Sequence, residues 1–288
     1  MKEYSDVELK KVQAAELSIL KDFVSVCREN GLKYFALAGT TLGALRHGGF
    51  IPWDDDIDVG LLRADYDKVL EIFKRDFADK YTVVNGDGFS GYPLMTTRII
   101  KNGTKFVEDS LKNIKCPLGI FLDVYAFDNA AKDEKARIKQ TKKTWFYSKL
   151  LILKHIPFPV LPFYGIKKKL CHCVTFLAWL LLNVFFVSHK YLYNKCKKYS
   201  TMYNGEDTGI YGYFCDTDGF SQTMSASDIF PLRKMKFEDT EIYFPNESEK
   251  MLTAIYGDYM KIPPKDKQVT FYPMRIMLED GVLHENLD

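Results

Sequence analysis

Asp54, Asp55, Asp56 and Asp58 place four carboxylates within five consecutive positions, the densest run of like charge in the chain. Each ionised Asp disfavours ionisation of its neighbours, so the cluster costs free energy unless a cation sits on it. From Asp56 onward polar and apolar residues alternate, through Ile57 and Asp58 to Val59. Residues two apart share a strand face, so Asp56 and Asp58 point one way while Ile57 and Val59 enter a core. Two carboxylates on one face, an oxygen-only donor set, suit Mg²⁺ or Mn²⁺. A solvated acidic turn competes with this reading, but a turn does not call for apolar alternation. A calcium loop of EF-hand type is a third reading. Asp54, Asp56 and Asp58 occupy its first ligand places, yet Val59 and Asp65 stand where that loop uses Gly and Glu.

The stretch just upstream, residues 34–49, reads as a strand, a tight turn at Gly39 and a short helix. Gly39 lets backbone approach a ligand closely. Thr40 and Thr41 offer hydroxyls and N–H groups at a helix N-terminus, a natural phosphate site. Downstream, residues 119–125 alternate again, with Ile120, Leu122 and Val124 on one face and Phe121, Asp123 and Tyr125 on the other. An Asp inside such a strand needs a partner. Either a metal site or a nearby Arg supplies it. Arg98 and Lys101 lie on or near a strand over residues 96–100, with Lys105 beyond. They read either as solvated sheet-edge charges or as groups that neutralise a diphosphate.

A glycine turn followed by an Asp-x-Asp strand and a later carboxylate resembles the nucleotidyltransferase superfamily. Within it, GTTLGALRHGGFIPWDDDID over residues 39–58 closely resembles the LicD family. Bacterial members of that family are phosphocholine transferases, and its animal relatives include fukutin-related protein. PLGIFLDVY over residues 117–125, and KFE at 236–238 through YGDYM at 256–260, fit the same family. The resemblance covers about residues 5–130 and 205–270. It implies an α+β fold of nucleotidyltransferase type, a polymerase β-like palm whose mixed sheet is flanked by helices.

The resemblance also implies a chemistry. Phosphocholine, or a similar phospho-alcohol, would pass from CDP-choline or another CDP-alcohol to a sugar hydroxyl, releasing CMP. The acceptor would be a surface glycan, such as teichoic acid or lipopolysaccharide, or its lipid-linked precursor. Asp56, Asp58 and Asp123 would hold Mg²⁺ or Mn²⁺, and Asp123 would help deprotonate the hydroxyl. Gly39, Thr40 and Thr41 would contact phosphate. Arg46 and His47 would orient the nucleotide or brace the cluster, and Asp54 and Asp55 would brace it from outside. Trp53, Tyr125, Tyr211, Tyr213 and Phe214 are available to cage a quaternary ammonium. Two other functions share these residues: an NTP-dependent nucleotidyltransferase that releases pyrophosphate, and a non-catalytic metal-binding relative.

The 288 residues suffice for a substantial core. The net charge of +2 hides an asymmetry, because residues 132–200 hold 15 Lys/Arg and 2 Asp/Glu, leaving +13 there and −11 elsewhere. We therefore expect a catalytic core over 1–131, a basic, apolar helical insert over 132–202, and a part completing the core over 203–288. Ser5 to Glu8 is a capping box that opens a helix ending near Asn30, whose simplest role is to pack on the sheet. Residues 65–77 and 248–256 read as helices, 81–84 as a strand, 237–244 as a hairpin, and 203–221 as loop with a short strand.

Within the insert, the apolar run 174–187 is broken only by Asn183 and is shorter than the ~20 residues a membrane span needs. An interfacial membrane element and a buried core helix account for it equally well; nucleic-acid binding is disfavoured. Six cysteines show no Cys-x-x-Cys spacing, and Cys171-His172-Cys173 lacks a second ligand pair for zinc. With no apolar signal segment at the start, the expected location is cytoplasmic, with peripheral contact at the inner membrane face.

Overall fold

The computed structural model describes residues 4–215, 223–268, 270 and 272–285. The chain opens with helix α1 (Asp6–Glu29), capped by the Ser5–Glu8 box. Strand β1 (Tyr34–Ala36), helix α2 (Ala38–His47), strand β2 (Asp58–Leu62) and helix α3 (Arg63–Asp76) follow. Then come β3 (Tyr81–Val84), β4 (Thr97–Lys101), β5 (Lys105–Val107) and the long β6 (Phe121–Asn129). Three helices occupy the basic segment: α4 (Glu134–His155), α5 (Gly165–Val184) and α6 (His189–Ser200). The remainder is β7 (Ile210–Gly212), β8 (Thr223–Ser225), α7 (Ala226–Ile229), the hairpin β9 (Arg233–Phe237) and β10 (Thr240–Phe244), α8 (Ser248–Tyr256), β11 (Arg275–Met277) and β12 (Leu283–Glu285). Part of the loop expected over 203–221 lies outside the described residues.

The main sheet is mixed and runs β1-β2-β6-β4-β3, with β7 paired to β6 and β8 to β7. Among the described strands only β2 and β6 are parallel; their register sets Asp58 opposite Asp123. β5 leaves the main sheet and pairs with β11. Helices flank the sheet. Val12, Ile19, Leu20 and Phe23 of α1 and Tyr66, Val69 and Phe73 of α3 enter one core with Ile57, Val59, Leu122 and Val124. Because β6 is covered on both sides, every residue from Phe121 to Val124 is buried. Asp123 is thereby held at 7% exposure, despite being a carboxylate.

A buried joint ties the helical segment to the sheet. Arg63 donates twice to Asp128 of β6, at 2.8 and 2.7 Å, and Asn204 Nδ2 and Ser200 Oγ donate to the same carboxylate. A buried carboxylate with this many donors is satisfied, so Asp128 acts as a structural anchor.

Element boundaries differ from expectation where the acidic run meets the sheet. The strand expected from Asp56 begins only at Asp58. Ladder bonding nevertheless reaches further, since Asp123 N donates to Ile57 O at 3.0 Å. The turn expected at Gly39 is made by Ala38 instead, at φ 37°. That conformation is strained for a residue with a Cβ. Gly39 lies in the first turn of α2.

Candidate active site

Asp58 opens β2 and Asp123 sits beside it on β6, so the sheet itself sets the pair. Thr40 fixes the start of the strand: its Oγ1 accepts from Asp58 N at 2.8 Å. Tyr125, two residues beyond Asp123 on β6, lies beside Asp58 and counters the rise that burial imposes on its carboxyl. Asp56 lies just ahead of the strand, within the field of both Asp58 and Asp123.

The rest of the acidic run is braced from α1 and the N-terminus. Gln13 Nε2 donates to Asp54 O at 2.8 Å, and the Tyr4 hydroxyl donates to Asp55 Oδ2 at 2.8 Å. A Cβ on Gly39 would come within 2.9 Å of Asp54 Oδ2, so the missing side chain makes room for a carboxylate. The Gly48–Phe50 corner is latched by Glu238, whose Oε1 accepts from Phe50 N at 2.9 Å. A Cβ on Gly49 would stand 2.1 Å from that oxygen. This contact ties KFE at 236–238 to the end of the stretch that leads into the acidic run.

The electrostatics are those of crowded acids short of cations. Burial, with Asp55 beside it, pushes Asp54 up to about 6. Burial pushes Asp55 up to about 7 against the Tyr4 hydrogen bond. Burial, then Asp54 and Asp123, push Asp56 up to about 8. Burial and then Asp56 and Asp123 hold Asp58 well above the usual carboxylate range. Burial raises Asp123 as well, with Arg98 opposing it.

Arg98 is the cation the sheet supplies. Its Nε donates to Asp123 Oδ1 at 3.2 Å and its Nη atoms donate to Glu108, while the guanidinium lies over the Phe121 ring at 3.7 Å. All three nitrogens are engaged, so Arg98 is neither the solvated sheet-edge charge nor the free diphosphate-binding group weighed from the sequence; it is the nearby Arg weighed as a partner for Asp123. Lys101 is not part of the cluster. It lies at the other end of β4, donating to Ser18 Oγ at 2.8 Å and pairing with Glu279. Thr41 also departs from expectation: its hydroxyl is fully buried without a partner and offers nothing to a phosphate.

Arg46, His47 and Trp53 form a separate group at the end of α2. Arg46 Nε donates to His47 Nε2 at 2.9 Å, Nη1 donates to Tyr259 O at 2.8 Å, and the guanidinium lies 5.8 Å from the Trp53 ring centre. Burial and then Arg46 lower His47 from its ordinary value. Tyr256 of α8 reaches toward the acids; burial and then Asp58 raise its hydroxyl to about 12.

Glu16 escaped the sequence reading. It is 1% exposed on α1, and both its carboxyl oxygens are buried without a hydrogen-bond partner. Burial and then Asp55, Asp56, Asp54 and Asp123 drive it well above its ordinary value. The signal was present: Glu16 falls four residues after Val12 and four before Leu20, on the apolar stripe of α1. A carboxyl on such a stripe needs a reason.

These donors suit a hard divalent cation: they are oxygens only, they repel one another, and Glu16 is unsatisfied. Among the described residues no three His, Cys, Asp or Glu side chains stand as a ready metal cage. Asp123, the third ligand expected, is already paired with Arg98. Mg²⁺ is commonly held by one or two carboxylates with water and substrate phosphates. Asp56 and Asp58 fit that mode.

Beside Asp58 opens a cavity of about 150 Å³, lined by Tyr125, Tyr213, Phe127, Met224 and Met251, with the Asp228–Lys250 ion pair among its polar lining. Tyr125 and Tyr213 meet edge to face at 5.0 Å. Of the other aromatics considered for a cage, Phe214 is fully buried and Trp53 belongs to the Arg46 group. Tyr211 is not in the cavity wall.

Residues 31–167 match the LicD/FKTN/FKRP nucleotidyltransferase domain. The chain is 26% identical over 275 residues to lipopolysaccharide cholinephosphotransferase LicD of Haemophilus influenzae; the alignment covers 90% of this chain and 94% of that protein. It is 45% identical over 42 residues to human ribitol 5-phosphate transferase FKRP, covering 15% of this chain and 8% of that one. It is also 35% identical over 80 residues to an uncharacterised Rickettsia typhi protein, covering 25% of this chain and 26% of that one. Through the domain match over residues 31–167 and the alignment with the Haemophilus influenzae enzyme along most of its length, the chain resembles the LicD/FKTN/FKRP family.

Proposed function

We propose that this protein transfers phosphocholine from CDP-choline to a sugar hydroxyl of a glycan or its lipid-linked precursor, releasing CMP. The observation that carries the reading is the Asp58–Asp123 pair on adjacent parallel strands, with Asp58 lining an aromatic cavity. The two relatives with named activities, a cholinephosphotransferase and a ribitol 5-phosphate transferase, support phospho-alcohol transfer as the reaction class. The same strand pair supports reading the main sheet as a polymerase β-like palm.

In this reading Mg²⁺, held by Asp56 and Asp58, supplies charge neutralisation on the diphosphate. The acceptor oxygen attacks the choline-bearing phosphorus, and the bond from that phosphorus to the CMP oxygen breaks. The hydroxyl proton passes to Asp123, which Arg98 orients through Nε. Thr40 keeps Asp58 in place, so its effect on phosphate is indirect. Arg46 and His47 brace the acidic loop from the end of α2.

The donor head group lies against Tyr125 and Tyr213. A quaternary ammonium has no hydrogen to donate and is recognised by ring faces and nearby carboxylates. The cavity offers both, in the Tyr125 and Tyr213 rings and the Asp58 and Asp228 carboxylates. Purified protein with Mg²⁺ is expected to release CMP from CDP-choline faster than from CDP-ribitol or CDP-glycerol when glycan acceptor is present. Tyr213→Ala is expected to raise KM for CDP-choline by about tenfold, the size of a desolvated cation–π contact, with kcat nearly kept. Release of pyrophosphate from an NTP, with CDP-choline inert, would overturn the assignment.

Glu16 is read here as a further negative group that increases the demand for a cation. Glu16→Gln is expected to raise the stability of the metal-free protein by about 1–2 kcal/mol at alkaline pH, by removing a buried unpaired charge. The same change is expected to shrink the rise in Tm on adding Mg²⁺. An unchanged Mg²⁺ response would place Glu16 outside the site.

A further inference from the structure

Helix α5 is built backwards for a helix of a water-soluble protein. Of its twenty residues only Leu182 is buried. Leu170, Val174, Leu177, Leu181 and Val184 fall on one stripe and are 46–68% exposed. An amphipathic helix normally turns that stripe to the core; here it faces outward. The buried-core alternative raised by the sequence therefore does not describe α5.

The exposed apolar surface continues past both ends of the helix. Ahead of it, Phe158, Val160 and Tyr164 are 56–90% exposed, and Phe158 stacks on Phe176 at 5.7 Å. Behind it, Phe185 and Phe186 are 73% and 88% exposed. Phe186 is held at φ 53°, a conformation a bulky residue adopts only under strain. Water gives no return for holding a phenylalanine there.

The charge around this surface has one sign. No Asp or Glu occurs between Glu134 and Glu206, while 14 Lys/Arg do, including Lys167, Lys168 and Lys169 at the start of α5. Two copies of such a surface would repel one another. An anionic surface complements it, and an apolar stripe flanked by lysines and aromatics is the pattern of a helix lying in a bilayer interface. No single described helix is long and apolar enough to cross a membrane.

We propose that α5, with residues 157–164 and Phe185–Phe186, is a docking surface that enters the interface of an anionic lipid bilayer. Its connection to the catalytic cavity is short: Ser148 of α4 donates to Cys215 O at 2.9 Å, two residues from Tyr213, and Cys196 of α6 packs in the same cluster as Tyr213. A membrane-seated insert would therefore hold the cavity wall at a fixed height above the lipid.

The test is flotation of the purified full chain with vesicles of phosphatidylcholine alone or mixed with phosphatidylglycerol. Two variants accompany it: Leu177→Glu with Leu181→Glu, and Lys167→Glu with Lys168→Glu and Lys169→Glu. These side chains are exposed, and circular dichroism checks that each variant is folded. The wild type is expected to float with the anionic vesicles, and each variant to bind at least about tenfold more weakly. Three results would overturn the proposal: wild-type protein that stays unbound, binding that ignores the anionic lipid, or wild-type dimers that the leucine variant dissociates without any vesicle binding. CMP release from CDP-choline with a soluble glycan acceptor, measured on the same samples, separates failure of docking from failure of the proposed reaction.

Discussion

Asp58→Asn is expected to lower CMP release by about 10³-fold while leaving the fold unchanged, a loss of roughly 4 kcal/mol of transition-state stabilisation. The fold survives because the structural bonds at this position do not need the charge. The strand start is held by Asp58 N donating to Thr40 Oγ1, a backbone bond that Asn keeps. The charge is what changes, and in a site that neutralises a diphosphate through a cation the charge is the working part. Asn also removes one member of a mutually repelling set, so Tm of the metal-free protein is expected to stay level or rise. Steady-state CMP release and a thermal melt on the same sample check both halves. A fall of less than tenfold would mean that the Asp58–Asp123 pair is not where the reaction occurs.

Local order in the sequence made the acidic strand readable: alternation from Asp56 to Val59 told which side chains share a face, and burial of Ile57 and Val59 agrees. The parallel pairing of β2 with β6 could not be read that way. It joins positions 65 residues apart, and only the tertiary fold chooses the register that puts Asp58 opposite Asp123. The Arg98–Asp123 pair depends on the same choice, through the antiparallel register of β4 on β6. An Arg in a strand looks alike whether it faces solvent, a diphosphate or a buried acid, so a nearby Arg stood open as the partner of Asp123 while nothing local singled out Arg98. Glu16 was missed for a different reason. α1 was read as a packing helix, and a carboxyl on its apolar stripe was not treated as an anomaly. The turn at Ala38 shows the limit of residue preference: Gly39 is required by the approach of Asp54, and the positive φ falls on its neighbour. The sequence of α5 showed an apolar run but not which way it faces, because both a core and a lipid surface reward the same residues.

Raising the pH of the metal-free protein from about 5 to about 8 is expected to lower its stability by at least ~3 kcal/mol, roughly 6–12 °C in Tm for a chain of this size. Asp54, Asp55 and Asp56 are raised to about 6, about 7 and about 8 in the folded protein, against an ordinary 3.8. Across that window the native state binds more protons than the unfolded chain, so stability falls as pH rises. The contribution is fully present below the ordinary carboxylate value and is lost as pH passes through the folded values. A surface carboxylate held by a lysine behaves oppositely: the exposed Lys21–Asp239 pair holds Asp239 below 3.8, and its small contribution is lost only on acidification. Mg²⁺ is expected to restore Tm near pH 8 and to do little near pH 5, because a protonated carboxyl is a poor ligand. Thermal melts across this pH range, each with Mg²⁺ or with a chelator, separate the two effects. A Tm that stays flat or rises through the window would show that the acidic cluster is compensated by protein groups alone. A pH-dependent Tm that Mg²⁺ leaves unchanged would keep the crowded carboxylates but remove the cation from the account.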